Sequence, residues 1–280
     1  MKSVSIIVFA ALLIAPRPVN AEGHGPLFGL ATPTLGQGQW SSDTGLMRAA
    51  NDAGKAWRAR EMLGYGITED LQLTLTAPIG RRDPLPNMAN TRAGAMMGAM
   101  DATEVSVLWR FHRVAPAIGR RRESSLLLSV ADGAELGRTG MEVGPTLHAA
   151  VVTGFASRTT YWWLGGGVQR DVGQDHVEQG GLTYATAVFG WRPPAFRGDY
   201  PKPDWRLFVE AVAEHAGRDR LNGATLTNSG GKRLLAGPSV LGLFGQWGVS
   251  AGVLLPLEEQ LNGVQPNTKY RAKLVFTYWF

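Results

Sequence analysis

Apolar and polar side chains alternate with a period of two over most of this chain, the spacing that sends successive side chains to opposite faces of a β-strand. In residues 71–78, Leu71, Leu73, Leu75 and Ala77 alternate with Gln72, Thr74 and Thr76. In residues 102–113, Val105, Val107, Trp109 and Phe111 share one face while Glu104, Ser106, Arg110 and His112 share the other, and only Leu108 departs from the pattern. The last eleven residues place Tyr270, Ala272, Leu274, Phe276, Tyr278 and Phe280 on one face, against Arg271, Lys273 and Thr277. Applied along the chain, the pattern predicts twelve strands, at about 40–50, 55–67, 71–78, 102–113, 124–134, 141–153, 159–172, 181–192, 205–214, 232–243, 247–257 and 270–280.

An even number of strands about 9–11 residues long suits an antiparallel barrel that crosses a membrane with tilted strands and has both ends on one side. Short connections at 68–70, 154–158 and 244–246 fall on the side of the termini, and the long insertions 79–101 and 217–231 fall on the other. The links 114–122 and 193–204 are longer than that scheme expects, with Arg120, Arg121 and Arg122 read as a solvated turn. Tyr270, Phe276, Tyr278 and Phe280 mark the barrel-closing strand, which pairs with the first strand to remove the sheet edge. This closing strand is also the expected contact with the barrel assembly machinery.

The amino terminus points to export. Lys2, the apolar run 4–14, two prolines and Val19-Asn20-Ala21 have the layout of a secretory signal peptide cut after Ala21. The apolar run is too short for a spanning helix, which needs about 20 residues. Residues 1–21 are therefore set apart from the fold, 22–39 form an extended lead-in, and 40–280 form the barrel. No plug domain of the kind found in energised transporters fits before residue 40.

Composition agrees with a wall that is apolar on one face only. The 280 residues include 36 glycines, nine tryptophans and no cysteine, and the mean hydropathy is −0.08. A bundle of membrane helices would be far more hydrophobic, and the missing thiols suit an oxidising periplasmic route. The formal charge of +5 falls to +3 without Lys2 and Arg17, too small an excess for nucleic acid. The bacterial outer membrane is the expected location, with outer-membrane lipid and lipopolysaccharide around a monomer.

Three stretches carry a resemblance to a known family. Residues 28–36 (FGLATPTLG), residues 62–71 (MLGYGITEDL) and the aromatic carboxy terminus together resemble the outer-membrane barrel family named after the meta pathway of phenol degradation. The resemblance spans essentially the whole mature chain and implies a barrel with a transport role, but no catalytic or ligand set to carry over.

The charges opposite the apolar faces are the main functional candidates. Arg58, Arg60, Glu104, Arg110, His112, Glu142, His148, Arg206, Glu210, Glu214, Arg271 and Lys273 are expected to line the lumen, because an Arg or Lys facing lipid near the midplane costs about 2–4 kcal/mol. They either line a wet pore and set its selectivity or pair across the lumen and fill it. Met96, Met97 and Met100, with Met88, share one external loop; thioethers select Cu(I), yet no histidine or cysteine accompanies them, and gap filling is the competing role. Gly248-Val249-Ser250-Ala251-Gly252 spells a nucleophile elbow, but it lies in a strand pattern with no helix to follow, so no enzyme and no cofactor is expected. Two functions stay open: passive passage or binding of a small, apolar or aromatic solute, and a non-transporting surface barrel that binds a partner or handles copper.

Overall fold

The structure is a computed structural model that describes residues 25–80, 102–132, 135–136, 141–142, 145–172, 177–198 and 202–280. Twelve antiparallel strands close into one barrel. They are β1 (Trp40–Asn51), β2 (Gly54–Gly66), β3 (Leu71–Ile79), β4 (Glu104–Ala117), β5 (Arg120–Ala131) and β6 (Thr146–Ser157). The second half comprises β7 (Thr160–Asp171), β8 (Leu182–Trp191), β9 (Asp204–Ala216), β10 (Gly231–Phe244), β11 (Trp247–Leu261) and β12 (Thr268–Trp279). Each strand pairs with its sequence neighbours, and β12 closes on β1 from Ser41↔Trp279 to Ala50↔Tyr270. Trp40 and Phe280 exchange two backbone hydrogen bonds of 2.9 and 3.1 Å, so both ends of the wall meet at one rim, here called the terminal rim.

Alternation decides which residues enter the barrel. In β8, Leu182, Tyr184, Thr186, Val188 and Gly190 are buried inward, and Thr183, Ala185, Ala187, Phe189 and Trp191 are exposed outward. The outer face is apolar over most of the wall, with Leu75, Val105, Trp109, Val151, Leu164, Val209 and Phe276 each more than two-fifths exposed. At the terminal rim this face ends in aromatic contacts: Trp40 lies 4.5 Å from Tyr65 and 6.3 Å from Phe280, and Trp247 lies 4.4 Å from Tyr278. Towards the opposite rim, Arg48 stacks over Trp57 at 5.1 Å. Water would not tolerate so much apolar exterior, whereas a closed hydrogen-bonded wall with aromatic girdles is what an outer membrane accepts. The chain is a bacterial outer-membrane barrel, and no helix among the described residues is long and apolar enough to cross a membrane.

Several strand ends differ from those read in the sequence. β4 and β5 continue as a hairpin to a turn at Ile118 and Gly119, with Ala117 opposite Arg120, so Arg120, Arg121 and Arg122 are strand residues rather than a turn. Pro116 did not end the strand, because it falls where the ladder is already irregular, between Val114 and Ala117. β6 begins at Thr146, and Met141–Glu142 instead pairs with Glu135–Leu136 in a two-residue ribbon outside the wall. The signal peptide and the loop methionines Met88, Met96, Met97 and Met100 lie outside the described residues.

Candidate functional site

The lumen is occupied by the chain itself. Residues 25–36 follow the glycine, proline and threonine spacing that argues against a helix, and they run extended through the barrel before β1 begins. Their partners come from strands all round the ring. Leu35 N–H donates to Gln72 Oε1 on β3 at 2.8 Å, Thr32 Oγ1 donates to Glu123 on β5 at 3.0 Å, and Trp163 Nε1 on β7 donates to Thr32 Oγ1 at 3.1 Å. Leu30 N–H donates to Thr186 Oγ1 on β8 at 3.2 Å, and Lys273 Nζ on β12 donates to the Leu27 carbonyl at 3.1 Å. Two glycines make room for it. A Cβ on Gly66 would lie 2.0 Å from the Gly36 carbonyl oxygen, and one on Gly165 would lie 2.8 Å from Leu30.

One carboxylate holds the far end of this segment. Glu210 is fully buried and accepts the backbone N–H groups of Leu27, Phe28 and Gly29 at 2.9, 2.7 and 2.7 Å, together with the Ser239 hydroxyl. Three successive N–H groups converging on one anion form a concave cradle. Nearer the terminal rim, Arg110 donates to Asp70 at 2.8 Å, to the Glu69 carbonyl at 2.6 Å and to Glu123 at 3.2 Å, so the carboxylate that holds Thr32 is itself held.

The remaining sequence candidates sort by register. Arg60, Glu104, His148, Glu214 and Arg271 are buried and inward, and Arg58 points inward near the opposite rim. Arg271 and Glu214 form a two-point pair of 2.7 and 3.1 Å, and Arg233, which the sequence reading passed over, pairs with Glu259 at 3.0 Å. Arg206 lies over the Tyr161 ring at 5.4 Å. Mixed signs therefore pair within the lumen and bind the segment. Two candidates leave the set. Glu142 is in the external ribbon, and His112 faces outward, because a bulge between Arg110 and His112 places it opposite the outward Ser124.

The inward face also carries large apolar groups. Tyr161 stacks on Trp163 at 5.8 Å, and both lie 6.4 Å from Phe208. Leu30 and Leu35 from the segment join these rings and Val152, Val188, Leu241, Leu243 and Trp279 in one buried cluster. Leu27 and Phe28 join Met47, Val212, Leu235, Leu254 and Val275 in a second cluster. Phe208 and Trp279 could have been found from the sequence, since Phe208 shares its face with Arg206, Glu210 and Glu214, and Trp279 shares its face with Arg271, Lys273 and Thr277. Above the first cluster, His148 Nε2 meets the Tyr184 hydroxyl at 2.6 Å, and its Nδ1 lies 3.3 Å from the Ser129 hydroxyl.

Ser250 is a buried inward residue in β11, and that strand continues without a helix to Leu261. Among the described residues, no group of three or more His, Cys, Asp or Glu could hold a metal ion. One polar group faces the wrong way: Glu61, on the outer face of β2, receives the Ser42 and Thr44 hydroxyls of β1 at 2.6 and 2.7 Å.

No protein-family model matches this sequence, and no curated protein matches it. Among solved structures, the chain is similar to an outer membrane channel from Pseudomonas putida F1, with a TM-score of 0.60 at 11% identity over 89% of this chain and 98% of that one. It is also similar to the NanC porin, with a TM-score of 0.51 at 6% identity over 84% of this chain and 98% of the porin. At such identities the likeness is one of fold.

Proposed function

We propose that this barrel admits small apolar or aromatic solutes across the outer membrane by diffusion, with residues 25–36 closing the lumen to water and ions. The observation that carries the reading is the aromatic inner wall of Tyr161, Trp163 and Phe208 packed against Leu30 and Leu35. A lumen built for hydrophilic solutes has little use for rings facing its axis, while ring faces and aliphatic side chains suit an apolar guest. The described channel and porin folds agree with passage, and the resemblance to the family named after the meta pathway of phenol degradation is part of this proposal.

Uptake of labelled monocyclic aromatics by lipopolysaccharide-bearing cells tests the reading. The barrel should accelerate entry over the empty host, and Trp163→Ala with Phe208→Ala should change the rate and the order of preference among solutes. One observation favours a second reading, a surface barrel without transport: the lumen is filled and its charges are paired. Unchanged uptake, together with no solute flux in liposomes even after removal of residues 25–36, would select that second reading.

A further inference from the structure

The hairpin that joins β4 to β5 sets three arginines on one flank of the terminal rim. Arg120 and Arg122 are outward residues of β5, opposite Ser157 and Phe155 of β6, and Arg158 follows in the next turn. A Cβ on Gly119 would lie 2.8 Å from Arg158 Nε, so this third guanidinium is folded against the hairpin turn. All three are exposed, and none of their guanidinium groups has a hydrogen bond or ion pair among the described residues. Nearby charges are engaged elsewhere: Arg113 pairs with Glu69 at 3.4 Å, and Glu123 is turned inward to Arg110. His112, also outward and exposed, completes the basic patch.

The outer wall carries two aromatic pairs here, Phe155 with Trp162 at 6.5 Å, level with Arg122, and Trp109 with Phe111 at 5.8 Å, further down. Such rings sit at headgroup depth in a membrane, so the guanidinium groups beside and above them stand at the level of lipid phosphates. The short turns and both strand termini place this rim on the periplasmic side, where the leaflet is glycerophospholipid. The flank around β11, β12 and β1 offers aromatics and, among the described residues, no basic group on its outer face near the same rim: Trp247, Tyr278, Phe280 and Trp40.

We propose that the β4–β6 flank is a seat for anionic glycerophospholipid, with Arg120, Arg122 and Arg158 bonding the phosphate and Phe155 and Trp162 packing on the acyl chains. Guanidinium forks match phosphate oxygens in two-point geometry. The seat fixes one side of the barrel to charged lipid and leaves the opposite side indifferent.

The absence of cysteine allows single-site labelling. Folded barrel carrying a fluorophore at Ser124→Cys, an outward position inside the patch, is placed in phosphatidylethanolamine vesicles containing phosphatidylglycerol, with bromine quenchers on one lipid or the other. Quenching at this site should favour the anionic lipid about fivefold, the ratio equivalent to about 1 kcal/mol for a cation near a charged surface. A fluorophore at Val249→Cys on the other flank should show a ratio near one. Arg120→Gln, Arg122→Gln and Arg158→Gln together should bring the Ser124 site near one, while the three Lys replacements keep a preference that about 1 M salt removes. Equal ratios at the two sites, as a soluble acidic partner for the patch would leave them, overturn the proposal. So does a preference that survives the three Gln replacements in a barrel whose unheated gel mobility shows that it is folded.

Discussion

Glu210→Gln is the most direct test of what keeps residues 25–36 inside the barrel. The carboxylate is fully buried and accepts three backbone N–H groups between 2.7 and 2.9 Å and one hydroxyl. Hydrogen bonds to a charged group contribute about 1.5–3 kcal/mol each. Glutamine keeps one carbonyl oxygen, but it turns an amide NH2 towards groups that are themselves donors. Losing or weakening two of the contacts should therefore weaken docking by about 3 kcal/mol, a shift of roughly 150-fold in the docked-to-undocked ratio. Contacts of Thr32 and Leu35 with Glu123 and Gln72 do not depend on Glu210, so the segment should open from its Leu27 end and stay anchored near β1.

The assay uses Leu30→Cys, a buried position in a chain with no other cysteine, and a membrane-impermeant maleimide. Labelling in liposomes reports the fraction of time the segment is out. With Glu210→Gln the rate should rise about a hundredfold, and single-channel recordings should show openings that are rare with Glu210 intact. A rate within about threefold of the parent, in a barrel of unchanged thermal stability, would refute the assignment of Glu210 as the holding group.

Further outcomes follow from the wall. Arg271→Met strands the buried Glu214 and should cost about 3–5 kcal/mol in a denaturant titration, while Arg271→Met with Glu214→Leu should recover most of the loss. Glu61→Leu should leave stability in vesicles unchanged or raised, because the carboxylate faces acyl chains and its hydroxyl partners can turn to the backbone; a loss above about 1 kcal/mol would mean that something polar covers that spot. Gly66→Ala should disturb the entry of the segment without touching any charge, since the added carbon meets the Gly36 carbonyl, and faster maleimide labelling at Leu30→Cys is the readout.

The wall was legible because lipid imposes one rule on it: every second side chain must be apolar, and Leu73, Leu75, Val105 and Trp109 obey it strictly. That rule fails where the chain leaves lipid. The β4–β5 hairpin runs past the membrane, so its arginines read as a turn although they are paired in a ladder. A bulge also breaks the rule, and the one at Arg110 to His112 puts two neighbouring residues on the outer face and takes His112 out of the lumen. The course of residues 25–36 through the lumen was not legible, although their extended form was. Their hydrogen bonds to the strands reach residues 37 to 246 positions away, from Leu35–Gln72 to Lys273–Leu27, and local spacing holds no trace of such contacts. The only sign of it was apolar bulk on faces predicted to be wet, as with Phe208 and Trp279.

That misplaced bulk explains why the segment and the inner wall belong together. An empty barrel would expose Tyr161, Trp163, Phe208, Leu241 and Trp279 to water, and Leu30 and Leu35 are the groups that cover them. Opening therefore carries two costs, the anchoring contacts at Glu210 and the wetting of an aromatic surface, at about 25 cal/mol for each Å² exposed. A polar solute offsets neither. An apolar or aromatic solute that takes the place of Leu30 offsets the second, so its presence lowers the work of opening by the area it covers. On the proposed function, selectivity would then arise from what can replace a leucine against Trp163, without any gate that recognises the solute in water.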